Sequence, residues 1–182
     1  MSSPPFDRTA NRLGALALRL ADRLELAVTA EGARSLSAAT ALSAIERFFT
    51  GGPSIDDLRQ VLGLTSSGAV RLVDGLEADG LVVRGRGTDG RVSVVTLTAK
   101  GRRTARAVVD ARAAVLTEAL APLTAAERRT LAPLVDKLLI GLVRGPRPAR
   151  AMCRLCATEV CGAARGEPCE ITRTALGLDR TE

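Results

Sequence analysis

The chain of 182 residues is long enough for one core domain and a short appendage, and its formal net charge of +6 suits a polyanionic partner. Aromatic residues make up only 2% of the chain, which disfavours modules that bind RNA or single strands by stacking bases on aromatic rings. The sequence has no long apolar run and no hydrophobic signal core near its start, so we expect a cytoplasmic protein without a membrane partner.

The N-terminal part predicts a leader and two helices. Residues 1–8 are rich in proline and serine, and we expect them to be disordered. Apolar residues at helical spacing predict a long helix from Thr9 to about Thr29 and a second from Ser37 to Phe49. The run Thr50-Gly51-Gly52-Pro53 ends the second helix.

A short helix and a longer one follow, joined by a glycine turn. Ser54 can cap the short helix from Ile55 to Leu62, and Gly63 closes it. The next helix covers about residues 65–79, and its apolar stripe leaves a set of polar side chains on the other side: Thr65, Ser66, Ser67 and Arg71. The hydroxyl groups can reach phosphates of DNA, and the longer side chain of Arg71 can donate hydrogen bonds to base edges. This layout predicts a helix-turn-helix whose second helix enters a major groove.

A basic hairpin, the wing, is predicted directly after this helix, at about residues 81–98. Its two strands are rich in valine, and the connection between them is rich in glycine and arginine, with Arg84 and Arg86 near its start. Such a tip cannot bury a core, so its arginines are able to reach a phosphate backbone or a narrow minor groove. A solvated β-turn is the alternative, and the position behind a helix-turn-helix favours the DNA-binding interpretation.

Two long helices are predicted after the wing. The first covers Lys100 to Leu120, and the second covers Thr124 to Val143 and opens with a capping box of Thr124 and Glu127. The apolar stripes on the first and last helices of the chain exceed what so small a domain can cover by itself. A homodimer would bury them, and a monomer that packs them internally is the alternative.

The segments LTSSGAVRLVDGLEADGLVVRG and TDGRVSVVTLTAKGR, within Leu64 to Arg102, resemble the winged-helix core of the MarR (multiple antibiotic resistance regulator) family of transcription regulators. The flanking helices match that family in length and order from about Arg12 to Arg144. The resemblance implies a mainly α (α+β) winged helix-turn-helix domain at residues 9–144, whose long terminal helices form a homodimer. It also implies a repressor that binds a double-stranded DNA operator, with a possible small-molecule effector between the dimer helices and the winged domain.

The family pattern also assigns roles at the wing tip. It implies that Arg91 enters the minor groove and that Asp89 braces it. The family's usual Asp-Arg-Arg run is here Asp89-Gly90-Arg91, so a glycine replaces one arginine. Arg84 and Arg86 lie close enough in sequence to supply charge in its place.

All four cysteines of the chain lie in the C-terminal tail, residues 145–182, with C-x2-C-x4-C-x7-C spacing: Cys153, Cys156, Cys161 and Cys169. In a cytoplasmic protein such a cluster favours a metal site over a disulfide framework. Because the chain has no histidine, the ligands would be four thiolates, which suit zinc or an iron-sulfur cluster. The spacing does not choose between the two, and the third alternative is free thiols or thiols that switch to a disulfide.

The sequence gives little support to an enzyme. Without histidine there is no Ser-His-Asp set, and no GxxxxGK phosphate loop occurs. A thiol-redox enzyme built on Cys153 and Cys156 would need a thioredoxin-like βαβ context, which the pattern lacks. A closed shell of four cysteines also leaves a metal no open position for catalysis. The other non-enzymatic alternative is a winged helix used as a protein-interaction module, which would not need a cationic wing.

Overall fold

The computed structural model of the chain describes residues 7–49, 51–87, 93–143, 152–157, 159–160 and 169–176. The described part is mainly helical with one small sheet. In chain order the elements are α1 (Arg8–Ala30), α2 (Leu36–Phe48), α3 (Ile55–Leu62), α4 (Ser66–Ala78), β1 (Val82–Arg86), β2 (Ser93–Leu97), α5 (Ala99–Leu120), α6 (Ala125–Leu142) and α7 (Glu170–Leu176). This order of elements confirms the predicted winged helix-turn-helix fold.

Local capping explains why the helices begin where they do. Helices α2 to α5 each follow a hydroxyl residue whose side chain accepts a backbone N–H of the first turn; these residues are Ser35, Ser54, Thr65 and Thr98. The predicted capping box at α6 is present, and hydrogen bonds from Thr124 lower the pKa of Glu127. Signals of this kind are local in sequence, so most predicted helix bounds fall within one or two residues of the observed ones.

Two of these small differences have a clear local description. Helix α1 begins at Arg8, inside the predicted leader, because the Asp7 carboxylate accepts the N–H of Ala10 at 2.8 Å and caps the helix. Helix α2 ends at Phe48, and Phe49 takes an extended conformation and is only partly buried. The rest of the predicted leader, residues 1–6, lies outside the described residues.

Helix α2 forms the centre of the core. Its residues from Ala38 to Ile45 are all buried, and it packs against α3, α4, α5 and β2. The core also receives one fully buried apolar residue from each of several surrounding elements: Val28, Leu58, Val73, Val95 and Val108. Burying a side chain of this size stabilises the fold by about 1.5–3 kcal/mol, so α3 and α4 are held firmly on the core.

The wing is an antiparallel pair in which Val82 lies opposite Leu97 and Arg86 lies opposite Ser93. Where β2 joins α5, Thr98 donates its backbone N–H to the carbonyl oxygen of Leu81 at 3.0 Å. Gly101 lies so near this carbonyl oxygen of Leu81 that a Cβ atom at position 101 would be only 1.9 Å from it. Glycine is therefore required at this crossing, which fixes the base of the wing against α5.

The outer helices are less covered than the core. Helix α1 lies against α5, with an ion pair between Arg23 and Glu118, while α6 lies against α7. None of the residues of α6 is buried. Among the described helices, none combines the length and the apolar character that a membrane span requires.

Candidate nucleic-acid interface

The predicted recognition residues lie together on the outer face of α4 or at its start. Ala69, Val73 and Leu76 on the inner face are buried, whereas the predicted DNA-contacting side chains are exposed: Thr65, Ser66, Ser67 and Arg71. Successive residues of an α-helix are rotated by about 100° around its axis, so the buried set and the exposed set of side chains lie on opposite sides of α4. The outer face can therefore meet a partner without disturbing the core.

Thr65 has a structural task as well. Its hydroxyl oxygen accepts the backbone N–H of Gly68 at 3.1 Å and lies 3.5 Å from the hydroxyl of Ser67. This cap fixes the first turn of α4, where Ser66 and Ser67 present their hydroxyls beside N–H groups that have no helical acceptor. Such a turn offers donors to a phosphate.

Sequence analysis did not single out Val70. Its exposed fraction is 42%, and it lies on the outer face between the serines and Arg71. An exposed valine here is the type of side chain that contacts the methyl group of thymine in the major groove. The helical periodicity of the sequence predicts Val70 on this face, because it lies three residues after Ser67 and directly before Arg71.

The far end of α4 is tied to neighbouring elements through Asp79. Its carboxylate pairs with Arg34, which immediately precedes the cap of α2, and its backbone carbonyl accepts a hydrogen bond from Lys100 of α5 at 2.9 Å. The side chain of Asp79 is 19% exposed, so part of this contact is shielded from water. These contacts hold α4 at a fixed angle on the core.

Arg84 lies on β1 and reaches back to α4. Its Nη1 is 2.5 Å from Oε2 of Glu77, its Nη2 donates to the carboxylate of Asp74, and its backbone N–H donates to Oε1 of Glu77 at 3.2 Å. The hydrogen bond to Asp74 and the charges of both carboxylates raise the pKa of Arg84. The sequence analysis did not identify Asp74 and Glu77 as partners of the wing.

Arg86 is the other predicted wing arginine in the described residues. It is exposed at the last position of β1, opposite Ser93. Asp89 and Arg91, the two residues to which the family pattern gives roles at the tip, lie outside the described residues. The described part of the wing therefore presents one exposed arginine, Arg86, and one that is held by carboxylates, Arg84.

The first two cysteines of the tail lie side by side. The backbone N–H of Cys156 donates to the carbonyl oxygen of Cys153 at 2.8 Å, which forms a tight turn. A hydrogen bond from the Cys153 thiol lowers the pKa of Cys156 to about 6, and the positive charges of Arg112 and Arg47 act in the same direction against the effect of burial. The pair thus holds one sulfur in a form that can act as a metal ligand or a nucleophile.

This part of the tail is docked on the winged-helix domain. Arg47 of α2 donates to the carbonyl oxygen of Cys156 at 3.0 Å and pairs with Glu159 at 3.1 Å. Leu155 packs against the hydrophobic core. The cysteine pair is therefore in physical contact with α2, the central helix of the fold.

Within the described residues, neither of the other two predicted metal ligands is seen beside Cys153 and Cys156. Cys169 lies just before α7, with its sulfur 3.5 Å from the hydroxyl of Thr172, and Cys161 lies outside the described residues. The three described cysteines form no disulfide. In the described ranges no three potential ligands come together, so the structure shows half of the predicted ligand set as a pair and leaves the four-cysteine site a prediction.

A groove of about 290 Å³ lies between α5 and the tail. It is lined on the α5 side by Arg112, Ala113, Leu116, Thr117 and Leu120, and on the tail side by Cys156, Ala157 and Val160. Most of these side chains are apolar, and Arg112 supplies a positive charge. The groove is shallow and open to solvent, and its walls are mostly apolar.

Exposed apolar residues are concentrated on α1 and α6. On α6 they are Leu134, Val135, Leu138 and Leu142, and on α1 they are Leu13, Leu16, Leu18 and Leu26. The exposed fractions of Leu134 and Leu138 are 54% and 52%, and the two are one helical turn apart. A stripe of this kind favours a contact with another protein surface.

An exposed recognition helix on a helix-turn-helix, followed by a two-stranded wing, defines a winged helix-turn-helix protein. The model of the MarR family matches residues 34–92, which contain α2, α3, α4 and β1. Over these residues the chain is similar to the MarR family. No curated protein matches the chain in sequence.

Solved structures agree on the fold. YusO from Bacillus subtilis is 22% identical with a TM-score of 0.61, and the match covers 70% of this chain and 89% of YusO. MepR, a regulator of the multidrug efflux pump MepA of Staphylococcus aureus, is 15% identical with a TM-score of 0.64, over 71% and 95% of the two chains. CouR from Rhodococcus jostii, solved with bound p-coumaroyl-CoA, is 20% identical with a TM-score of 0.58, over 75% and 95%. These likenesses establish the fold of the winged-helix domain.

Proposed function

We propose that the chain is a sequence-specific DNA-binding transcription regulator that acts as a homodimer on a double-stranded operator. The observation that carries the proposal is the outer face of α4, where Ser66, Ser67, Val70 and Arg71 are exposed together while the opposite face is buried. Arg86 of the wing adds an exposed positive charge beside it. Repression follows if the dimer occupies a promoter and excludes polymerase, in the cytoplasm where the operator lies.

A selection of genomic duplex fragments by the purified protein tests this function. We expect recovery of a pseudo-palindrome with half-sites about 10 base pairs apart, because two symmetry-related recognition helices must enter successive major grooves. A variant with Ser66, Ser67 and Arg71 all replaced by alanine provides the control and should recover no common motif. Recovery of unrelated fragments by the wild-type protein would contradict the proposal and favour a protein-interaction module.

The homodimer is supported by the uncovered apolar residues of α1 and α6. Within the described residues, α6 lies against α7 and buries no residue in the single chain. Burial of four or more such leucines between two copies would contribute about 1.5 kcal/mol each at least, before the costs of association.

A small-molecule effector is the first candidate for the signal. The groove between α5 and the tail has apolar walls and one arginine, which suits an apolar compound with an anionic group. CouR was solved with bound p-coumaroyl-CoA, so a protein of this fold can bind a small molecule. Loss of operator binding on titration with such a compound would identify it as an effector.

A metal centre in the tail is the second candidate, with zinc as the first choice and an iron-sulfur cluster as the alternative. The observation that favours it is the tight turn that brings Cys153 and Cys156 together, because two thiolates in such a turn can bind one ion. Cys161 and Cys169 would complete four ligands. When bound, zinc would supply a structural cross-link, whereas a cluster would supply a redox-sensitive one.

Elemental analysis and an absorption spectrum of protein purified without chelator and without air test the metal centre. One zinc per chain and no colour would identify the structural site, and iron with sulfide and a brown colour would identify the cluster. Replacement of Cys153 by serine should release the metal. Four reduced thiols without metal in the wild-type protein would contradict both versions.

A further inference from the structure

Arg84 joins the wing to the recognition helix. Both of its terminal nitrogens donate to carboxylates of α4, one to Asp74 and one to Glu77, and its backbone N–H donates to Glu77 as well. The Arg84 side chain is 30% exposed, less than either of its partners. A phosphate that approached this guanidinium would have to compete with two carboxylates that the fold already holds against it.

The carboxylates of Asp74 and Glu77 lie on α4, where negative charge is unfavourable for a protein that binds DNA through this helix. Asp74 is one turn beyond Val70 and Arg71 on the exposed face of α4, and its side chain is 54% exposed. Duplex DNA carries about one negative charge per 1.7 Å of its axis, so an uncompensated carboxylate on this face would be repelled. The chain therefore needs a cation at Asp74 and Glu77 for reasons that are independent of any contact between that cation and DNA.

We infer that Arg84 is a positioning residue that holds the wing against α4 and masks the carboxylates of Asp74 and Glu77, and that it does not bind a phosphate itself. The inference rests on the proposed DNA-binding function. It assigns the phosphate contact of the described wing to Arg86, which is exposed and follows two positions later on β1. Because Arg84 connects β1 to α4, Arg86 and Arg71 then approach the DNA at a fixed distance and orientation relative to each other.

A double-mutant cycle separates masking from direct contact. The four proteins are the wild type, Arg84→Ala, the pair Asp74→Asn with Glu77→Gln, and the combination of all three changes. The glutamine keeps a side-chain oxygen that can accept a hydrogen bond from the backbone N–H of Arg84, so this contact between β1 and α4 is preserved. Affinity is measured for a duplex of mixed sequence at low salt, which requires no knowledge of the operator, and again over a series of salt concentrations.

We expect Arg84→Ala to weaken binding of the duplex by about fivefold to tenfold, because it exposes two carboxylates and releases the wing. In the background without the two carboxylates, the same change should alter affinity by less than about twofold. The protein with only the two neutral substitutions should bind at least as tightly as the wild type. The slope of affinity against salt should stay the same after Arg84→Ala and fall by about one contact after Arg86→Ala.

An equal loss in both backgrounds, together with a salt slope that falls by about one contact, would overturn the inference and make Arg84 a phosphate ligand. Wild-type protein that fails to bind any duplex would overturn the proposed function along with it, so the two failures are distinguishable. If Arg84→Ala does not fold, Arg84→Gln enters the same cycle. Arg84→Lys retains the charge but not the two-carboxylate geometry, and it should recover part of the lost affinity.

Discussion

The guanidinium of Arg47 donates to the backbone carbonyl oxygen of Cys156 at 3.0 Å, which connects the central helix of the fold to the cysteine-bearing tail. These two residues are 109 positions apart in sequence. The Arg47 side chain is 13% exposed, so the bond is largely shielded from water. The bond therefore places Cys156 in direct contact with α2, the helix on which α3 and α4 are packed.

Arg47→Ala should lower the free energy of unfolding by about 1–3 kcal/mol, because it leaves a partly buried carbonyl without its charged donor. Amide hydrogen exchange at residues 152–157 should accelerate in the same variant. Arg106→Ala is the matched control, since Arg106 is 72% exposed and lies 3.5 Å from Glu46, and it should change stability by less than about 0.5 kcal/mol. Unchanged exchange in the tail of Arg47→Ala would show that the tail is held by other contacts.

The thiol of Cys156 should react with an alkylating reagent at unusually low pH in reduced protein stripped of metal. Its pKa is lowered to about 6, so the thiolate is the main form above that pH and its reaction rate falls as the pH drops through it. Mass spectrometry of the modified peptide should give a half-maximal rate near the same pH.

Two variants serve as controls for the Cys156 measurement. Cys153→Ala removes the hydrogen bond that contributes most to the shift, so the pH of half-maximal rate should rise. Arg112→Ala removes a smaller contribution and should raise it less. A half-maximal rate above about pH 8 in the wild type would contradict the observed environment of Cys156.

Val70→Ala should reduce the preference for thymine at one position of each half-site by about threefold to fivefold, since it removes apolar contact with the C5 methyl group. The measurement is a comparison of selected duplexes that carry thymine or uracil at that position, because uracil lacks only the methyl. Val83→Ala is the control: Val83 is 48% exposed on β1, outside the recognition helix, and its replacement should leave base preference unchanged. Equal discrimination by wild type and Val70→Ala would place the thymine contact elsewhere.

If the proposed homodimer forms, the pair of substitutions Leu134→Asp and Leu138→Asp should convert it into a monomer in analytical ultracentrifugation. The two carboxylates would lie in the centre of the apolar stripe of α6 and could not be buried there without a large desolvation cost. Val160→Asp is the control, since Val160 is 84% exposed and lies in the tail, not on α6. A variant that remains dimeric would locate the dimer contact outside α6.

The helices and the wing could be predicted because their signals are local. The cap residues Ser54, Thr65 and Thr124 and the apolar spacing of each segment lie within a few positions of the elements that they specify. The exposure of Ser66, Ser67 and Arg71 follows from the same periodicity.

The contacts that connect elements could not be predicted in the same way. The bond from Arg47 to Cys156 depends on where the chain returns after α6, and nothing near either residue indicates it. Arg84 was expected to add charge to the wing, and the sequence does not show that it lies against Asp74 and Glu77. The docking of Leu155 on the core likewise follows from packing that has no local signal.

The most direct test of the central claim is the affinity of the purified protein for its selected duplex compared with a scrambled duplex of the same length and composition, at physiological salt. We predict a ratio of about 10³ or more in favour of the selected duplex and a stoichiometry of one dimer per duplex. The ratio should collapse toward one when Ser66, Ser67 and Arg71 are replaced by alanine. Equal affinity of the wild-type protein for the two duplexes would contradict the account, since a recognition helix in the major groove must distinguish them.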